Sequence, residues 1–134
     1  MKGYTSNIED VTRSNTTFRT VVYTGKYMQL VVMNISVDEN IGLEVHEQDQ
    51  FLHIESGEGE VLLDGVTHSL KKGIAVLIPA GATHNVINTG NSDLQLYSIY
   101  ALPHHADGVV HQTKKDSETA EENHEGEYLG ITTE

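Results

Sequence analysis

Between Phe18 and Leu102 the chain is written in short apolar runs cut by turn residues, and this pattern limits the possible folds most. The runs RTVVYT (19–24), YMQLVVMNIS (27–36) and LQLYSIYAL (94–102) are β-branched and apolar. Gly25-Lys26, Asp64-Gly65 and Asn88-Thr-Gly90-Asn91 stand where chain reversals would fall. No 3.6-residue periodicity runs through these segments. Strands this short at this turn spacing predict an all-β antiparallel sandwich or small barrel. The run 27–36 is apolar on both of its alternating faces, so it belongs inside a two-layer structure.

A chain of 134 residues is expected to form one domain and to bury a sizeable core. It contains no cysteine, which excludes disulfides, thiolate metal sites and a cysteine nucleophile. The opening MKGYTSNIED lacks an apolar signal core, and no run approaches membrane-spanning length, so a cytoplasmic protein is expected. A net charge of −12 argues against nucleic-acid and anionic-membrane partners, which require basic patches. Eight acids (Asp107, Asp116, Glu118, Glu121, Glu122, Glu125, Glu127, Glu134) and two bases (Lys114, Lys115) concentrate half of that charge at the C-terminus. The expected layout is a polar segment over 1–20, a barrel over 21–103, and an acidic tail over 104–134. Thr113, the run KKDSETAEENH and Gly126 read as cap, polar helix and terminating glycine. Without an apolar face, that helix is expected on the surface or across a partner subunit.

The chemistry centres on Gly73–Asn88, GIAVLIPAGATHNVIN. A strand runs into Pro79 and Gly81, turn residues that return the chain into a second strand at His84. Alternation places His84, Val86 and Asn88 on one face of that strand. A second group lies in Leu43–Gln50. There Glu44 and His46 share a face, and Gln50 belongs to the set Gln50, Leu52, Ile54, whose apolar members point inward. Phe51, His53 and Glu55 point the other way, so His53 is expected outside. Two imidazoles, a carboxylate and an amide oxygen suit a divalent first-row metal and leave coordination positions open. Without a metal, each buried group would need a hydrogen-bond partner. Tyr97 and Tyr100 take opposite faces of the last strand. Leu30, Met33, Leu52, Ile54, Val76, Ile78, Val86 and Leu96 are the expected core. Asn88 reads as a strand-end residue with a structural hydrogen bond. His68, His104, His105, His111 and His124 need no role, although His104-His105 follow the last strand beside a barrel mouth, where substrate contact or a second metal is open.

These residues carry a family resemblance. Gly73-x5-Pro79-x-Gly81-x2-His84-x3-Asn88 resembles the second cupin motif at every fixed position. The first cupin motif is His-x-His-x3-or-4-Glu before a glycine turn, and here it reads Glu44-x-His46-x3-Gln50, followed by Gly57. Ile41–His46, Asp49–Phe51 and Tyr100–Lys114 resemble a bacterial subgroup labelled mannose-6-phosphate isomerase-like, a label of fold kinship that carries no activity. The resemblance spans nearly the whole chain from Asn7. It implies a cupin double-stranded β-helix, or jelly-roll barrel, with one divalent ion (Mn, Fe, Ni or Zn) held by His46, His84, Glu44 and Gln50. Glu44 restores the carboxylate that Gln50 removes, so the net ligand charge is unchanged.

The expected function is a metal-binding cupin that acts on or binds a small polar metabolite, sugar-like or carboxylate-like. A metal-dependent isomerase or oxygenase is open, since no separate nucleophile or triad is present. The alternatives are a non-catalytic binding module and a structural cupin with a vestigial pocket. A homodimer is expected from the apolar strand faces near Phe18–Ile35.

Overall fold

A computed structural model describes residues 2–133; Met1 and Glu134, the outer ends of the segments 1–20 and 104–134, lie outside the described residues. Among the described residues, nine strands and two helices follow in the order α1 (Ile8–Ser14), β1 (Arg19–Thr24), β2 (Gln29–Ile35), β3 (Asp49–Ser56), β4 (Glu58–Leu63), β5 (Val66–Lys71), β6 (Ala75–Ile78), β7 (His84–Asn88), β8 (Leu94–Ala101), β9 (Val110–His111) and α2 (Lys114–Glu122). Six strands form one sheet in the order β6-β3-β8-β2-β1-β9, and β5-β4-β7 form a second. The strands pair antiparallel throughout, so the all-β jelly-roll expectation stands. None of the described helices is long and apolar enough to cross a membrane.

The core lies between the sheets. Val31, Met33 and Ile35 of β2, Leu52 and Ile54 of β3, Val61 of β4, Val86 of β7 and Leu94 and Leu96 of β8 form its buried centre. Seven of the eight expected core residues are in this cluster (Met33, Leu52, Ile54, Val76, Ile78, Val86 and Leu96), and Leu30 is the exception. The inward face of β2 is Gln29, Val31, Met33 and Ile35, which puts Leu30 half-buried on the outer face. Parity rather than hydrophobicity decides this, because both faces of β2 are covered. Helix α1 packs over β2, β3 and β8. Its N-cap is Asn7, whose side chain accepts from the Asp10 amide.

At the end of the sandwich away from the mouth, Gly57 has φ +91°, and a Cβ there would fall 2.4 Å from the Asp93 carbonyl oxygen. Only glycine allows the β3–β4 turn to press against β8 in this way. Asn88 has the structural role expected of it: its amide donates to the carbonyls of Ile35 and Ser92, and its oxygen accepts from the Gly90 amide.

The segment after Pro103 does more than trail from the barrel. Val110 and His111 of β9 pair with Thr20 and Arg19 of β1. Thr113 caps α2 as expected, accepting from the Asp116 amide. The helix has a narrow inward face nonetheless, because Ser117 and Ala120 are buried. Two small residues suffice where a helix only has to close over a cavity.

Candidate functional site

At the mouth between the sheets, β7 and the loop before β3 are stitched together. The Glu44 amide donates to the His84 carbonyl (2.8 Å), and the His84 amide donates to the Glu44 carbonyl (2.9 Å). The Gly81 amide donates to the His46 carbonyl at 2.8 Å. Gly81 has φ +86°, the left-handed conformation the turn after Pro79 requires. The two sequence segments expected to share a site therefore face each other through backbone pairing.

Their side chains converge. His46 Nε2 lies 2.9 Å from Glu44 Oε2, and His84 Nε2 lies 3.9 Å from the same oxygen. Among the described residues, Glu44, His46 and His84 form one group of potential ligands whose donor atoms all lie within 4.8 Å of one another. The His84 ring, 1% exposed, donates from Nδ1 to the Ala82 carbonyl at 3.2 Å. That bond assigns the ring proton to Nδ1 and leaves a lone pair on Nε2. Nε2 is buried with no hydrogen-bond partner. Burial pushes His84 below its ordinary value despite the Ala82 bond and the Glu44 charge. Burial raises the Glu44 carboxyl, but the hydrogen bond and charge of His46, with Arg19 and His84, outweigh it and hold the group below the ordinary carboxylate value. A neutral imidazole and an ionised carboxylate are the forms in which these groups bind a metal.

Gln50 sits on the inward face of β3, opposite Tyr100 and Ile78. Its amide nitrogen donates to Ser98 Oγ at 2.9 Å, and its oxygen is buried with no partner. His84 Nε2 and Gln50 Oε1 are both buried acceptors without a partner, and a cation between them would satisfy both.

His53 lies on the outer face, as parity requires. It contacts Glu55 at 2.6 Å and forms a cluster of three mutually neighbouring rings with Phe51 and Tyr97. Of the two tyrosines, Tyr100 is the buried one. Its ring stands edge-on to those of His46 and His105. Burial and the Glu44 charge, only partly offset by Arg19 and Gln50, raise its hydroxyl well above the ordinary tyrosine value.

The tail histidines are not all idle. A cavity of about 320 Å³ opens beside Glu44 and His46 and is lined also by Arg19, His104, His105, His111 and Glu121. The His104 ring lies 4.3 Å from that of His46, centroid to centroid. Burial, with the His46 charge, takes His104 down to about 4. His124 alone of the four tail histidines is exposed. Gln29 holds this wall. Buried completely, it accepts from the amides of His104 and His105 and donates to the His105 carbonyl and Thr24 Oγ1. Arg19 and Gln29 escaped the sequence reading, although strand alternation was a usable signal. Arg19 shares its face with Val21, and Gln29 shares its face with Val31.

The cupin domain model matches residues 31–100, half of the chain. The chain belongs to the cupin family. This cupin is 45% identical over 128 residues to the uncharacterized protein YrkC of Bacillus subtilis (strain 168), covering 90% of this chain and 69% of YrkC. It is 36% identical over 113 residues to the uncharacterized protein L612 of Acanthamoeba polyphaga mimivirus, covering 80% and 70%. The crystal structure of BH2720 from Bacillus halodurans matches with a TM-score of 0.87 at 44% identity, covering 89% of this chain and 96% of that one.

Proposed function

We propose that this cupin holds one divalent metal ion on Glu44, His46 and His84, with Gln50 Oε1 as a fourth donor, and uses it on a small polar metabolite. The observation that carries this reading is the buried lone pair on His84 Nε2, without a donor and 3.9 Å from an ionised carboxylate. The ion, when bound, supplies Lewis-acid polarisation of a ligand oxygen.

The chain's own residues supply the rest. Glu44 and His84 enter in their metal-binding protonation states. Tyr100 stays protonated, so its hydroxyl is a hydrogen-bond donor in the interior and not a base. His104 is neutral near pH 7, so it meets a ligand as an uncharged hydrogen-bonding ring beside His46. Helix α2, through Ser117, Ala120 and Glu121, narrows access to the cavity from water. A cavity of about 320 Å³ fits a ligand of metabolite size.

The homodimer expected from the apolar strand faces belongs to the same proposal. The outer sheet face supports it, carrying Leu30, Phe51 and Ile99 half-buried and Leu77 of edge strand β6 72% exposed. Light scattering giving twice the chain mass would agree with it; a monomer mass would not.

The functional reading is tested by metal analysis of protein purified without added metal. The wild-type chain is expected to retain an ion, and the His46→Ala, His84→Ala double variant to lose it. Full retention in the double variant would refute the site. Incubating the metal-loaded protein with a panel of small sugars and hydroxy acids then separates turnover from simple binding.

A further inference from the structure

The cavity has a second end that the metal reading does not use. Arg19, at the start of β1, is 3% exposed. Its Nη1 donates to Ser117 Oγ of α2 at 2.6 Å and lies 3.3 Å from His111 Nδ1 of β9. Its guanidinium carbon lies 5.3 Å from the centroid of the Phe18 ring. Nε is buried with no hydrogen-bond partner. Among the described residues Arg19 enters no ion pair with a carboxylate. A buried guanidinium is costly unless an anion faces it, and the planar group matches a carboxylate best. Close by, the ring of His105 is also buried, with its Nε2 unpartnered.

We propose that Arg19 is the recognition residue for a carboxylate on the ligand, which selects small organic acids over neutral sugars in this cavity. Arg19, His105 and the pair Glu44–His46 all line the same space of about 320 Å³. A short organic acid can therefore place its carboxylate at Arg19 while a second oxygen reaches the Glu44–His46 pair. Arg19 carries the fixed positive charge among the lining side chains, so a ligand carboxylate placed there meets its counter-ion. Glu121, Glu125 and Glu127 stand among the remaining lining residues and oppose a multiply charged phosphate more than a single carboxylate. The proposal rests on the reading of this cavity as the ligand site, but it does not need the metal to be bound.

That independence sets the test. Lactate, glycolate and pyruvate are titrated into chelator-stripped wild-type protein beside the uncharged lactamide and glycolamide, with thermal midpoint and calorimetry as readouts. At least one acid is expected to bind and stabilise the fold, and neither amide to do so. Arg19→Met is expected to weaken the acid at least about tenfold, the scale of one charge-assisted hydrogen bond, and Arg19→Lys to weaken it less. Metal affinity should stay close to wild type in both variants. Equal binding of acids and amides, no binding of any acid, or unchanged acid affinity in Arg19→Met would each overturn the proposal. If Arg19→Met fails to fold, acid-over-amide discrimination by the wild-type chain decides alone. Failure of the metal reading would appear separately, as a wild-type protein that takes up no ion yet still discriminates acids from amides.

Discussion

His84 stands on a regular strand, whereas Glu44 and His46 stand on a loop that takes its geometry from that strand. β7 fixes His84 by ladder pairing with β4, by burial and by the Nδ1 bond to Ala82. Among the described residues, the backbone of the 44–46 segment is held by the reciprocal amide bonds to His84 and the Gly81 bond to His46. One half of the site is therefore built in with the sheet, and the other is laid across it. Ligand identity can vary on the loop without disturbing the fold, which accounts for a carboxylate at Glu44 beside a fully regular His84 hairpin.

This contrast can be broken most forcefully at His84. His84→Ala removes a ligand from the rigid half and is expected to lower metal affinity by more than the roughly 10–100-fold that losing an outer-sphere partner costs. Calorimetric metal titration measures it. Glu44→Gln keeps the loop's shape and removes its charge; a fall nearer the lower part of that range is expected in the same titration, with little change in melting temperature. Gly81→Ala probes the joint between the halves. No neighbouring atom meets an added Cβ there, so the φ of +86° sets the cost, about 1–2 kcal/mol by chemical denaturation. Acid stability is the mildest probe. Burial takes His104 down to about 4 and His105 well below its ordinary 6.5. Unfolding raises both, so the unfolded chain binds more protons as pH falls below 6.5. The metal-free protein should lose stability from about pH 6.5 toward 4, and His105→Gln should flatten that decline in a thermal melt series.

How much the sequence revealed follows the same division. Turn residues and alternation made the strands and the inward face of β7 readable, because these depend on local rules, and the resemblance to the two cupin motifs brought Glu44 and His46 together with His84. Leu30 was misplaced because β2 is covered on both sides, so hydrophobicity could not choose the inner face. Arg19, Gln29 and the approach of His104 and His105 to His46 depend on β9 returning to pair with β1. Nothing in the local sequence around Val110 announces that contact. The helix α2 was placed in sequence through its cap, but its burial through Ser117 and Ala120 depends on what lies beneath it.

The most direct measurement is anomalous diffraction from crystals grown after metal loading, collected on both sides of the ion's absorption edge. The expected result is a single strong peak bonded to His46, His84 and Glu44, with Gln50 Oε1 turned toward it. A peak elsewhere, or an occupied solvent molecule hydrogen-bonded to His84 Nε2 with no anomalous signal, would contradict the metal site.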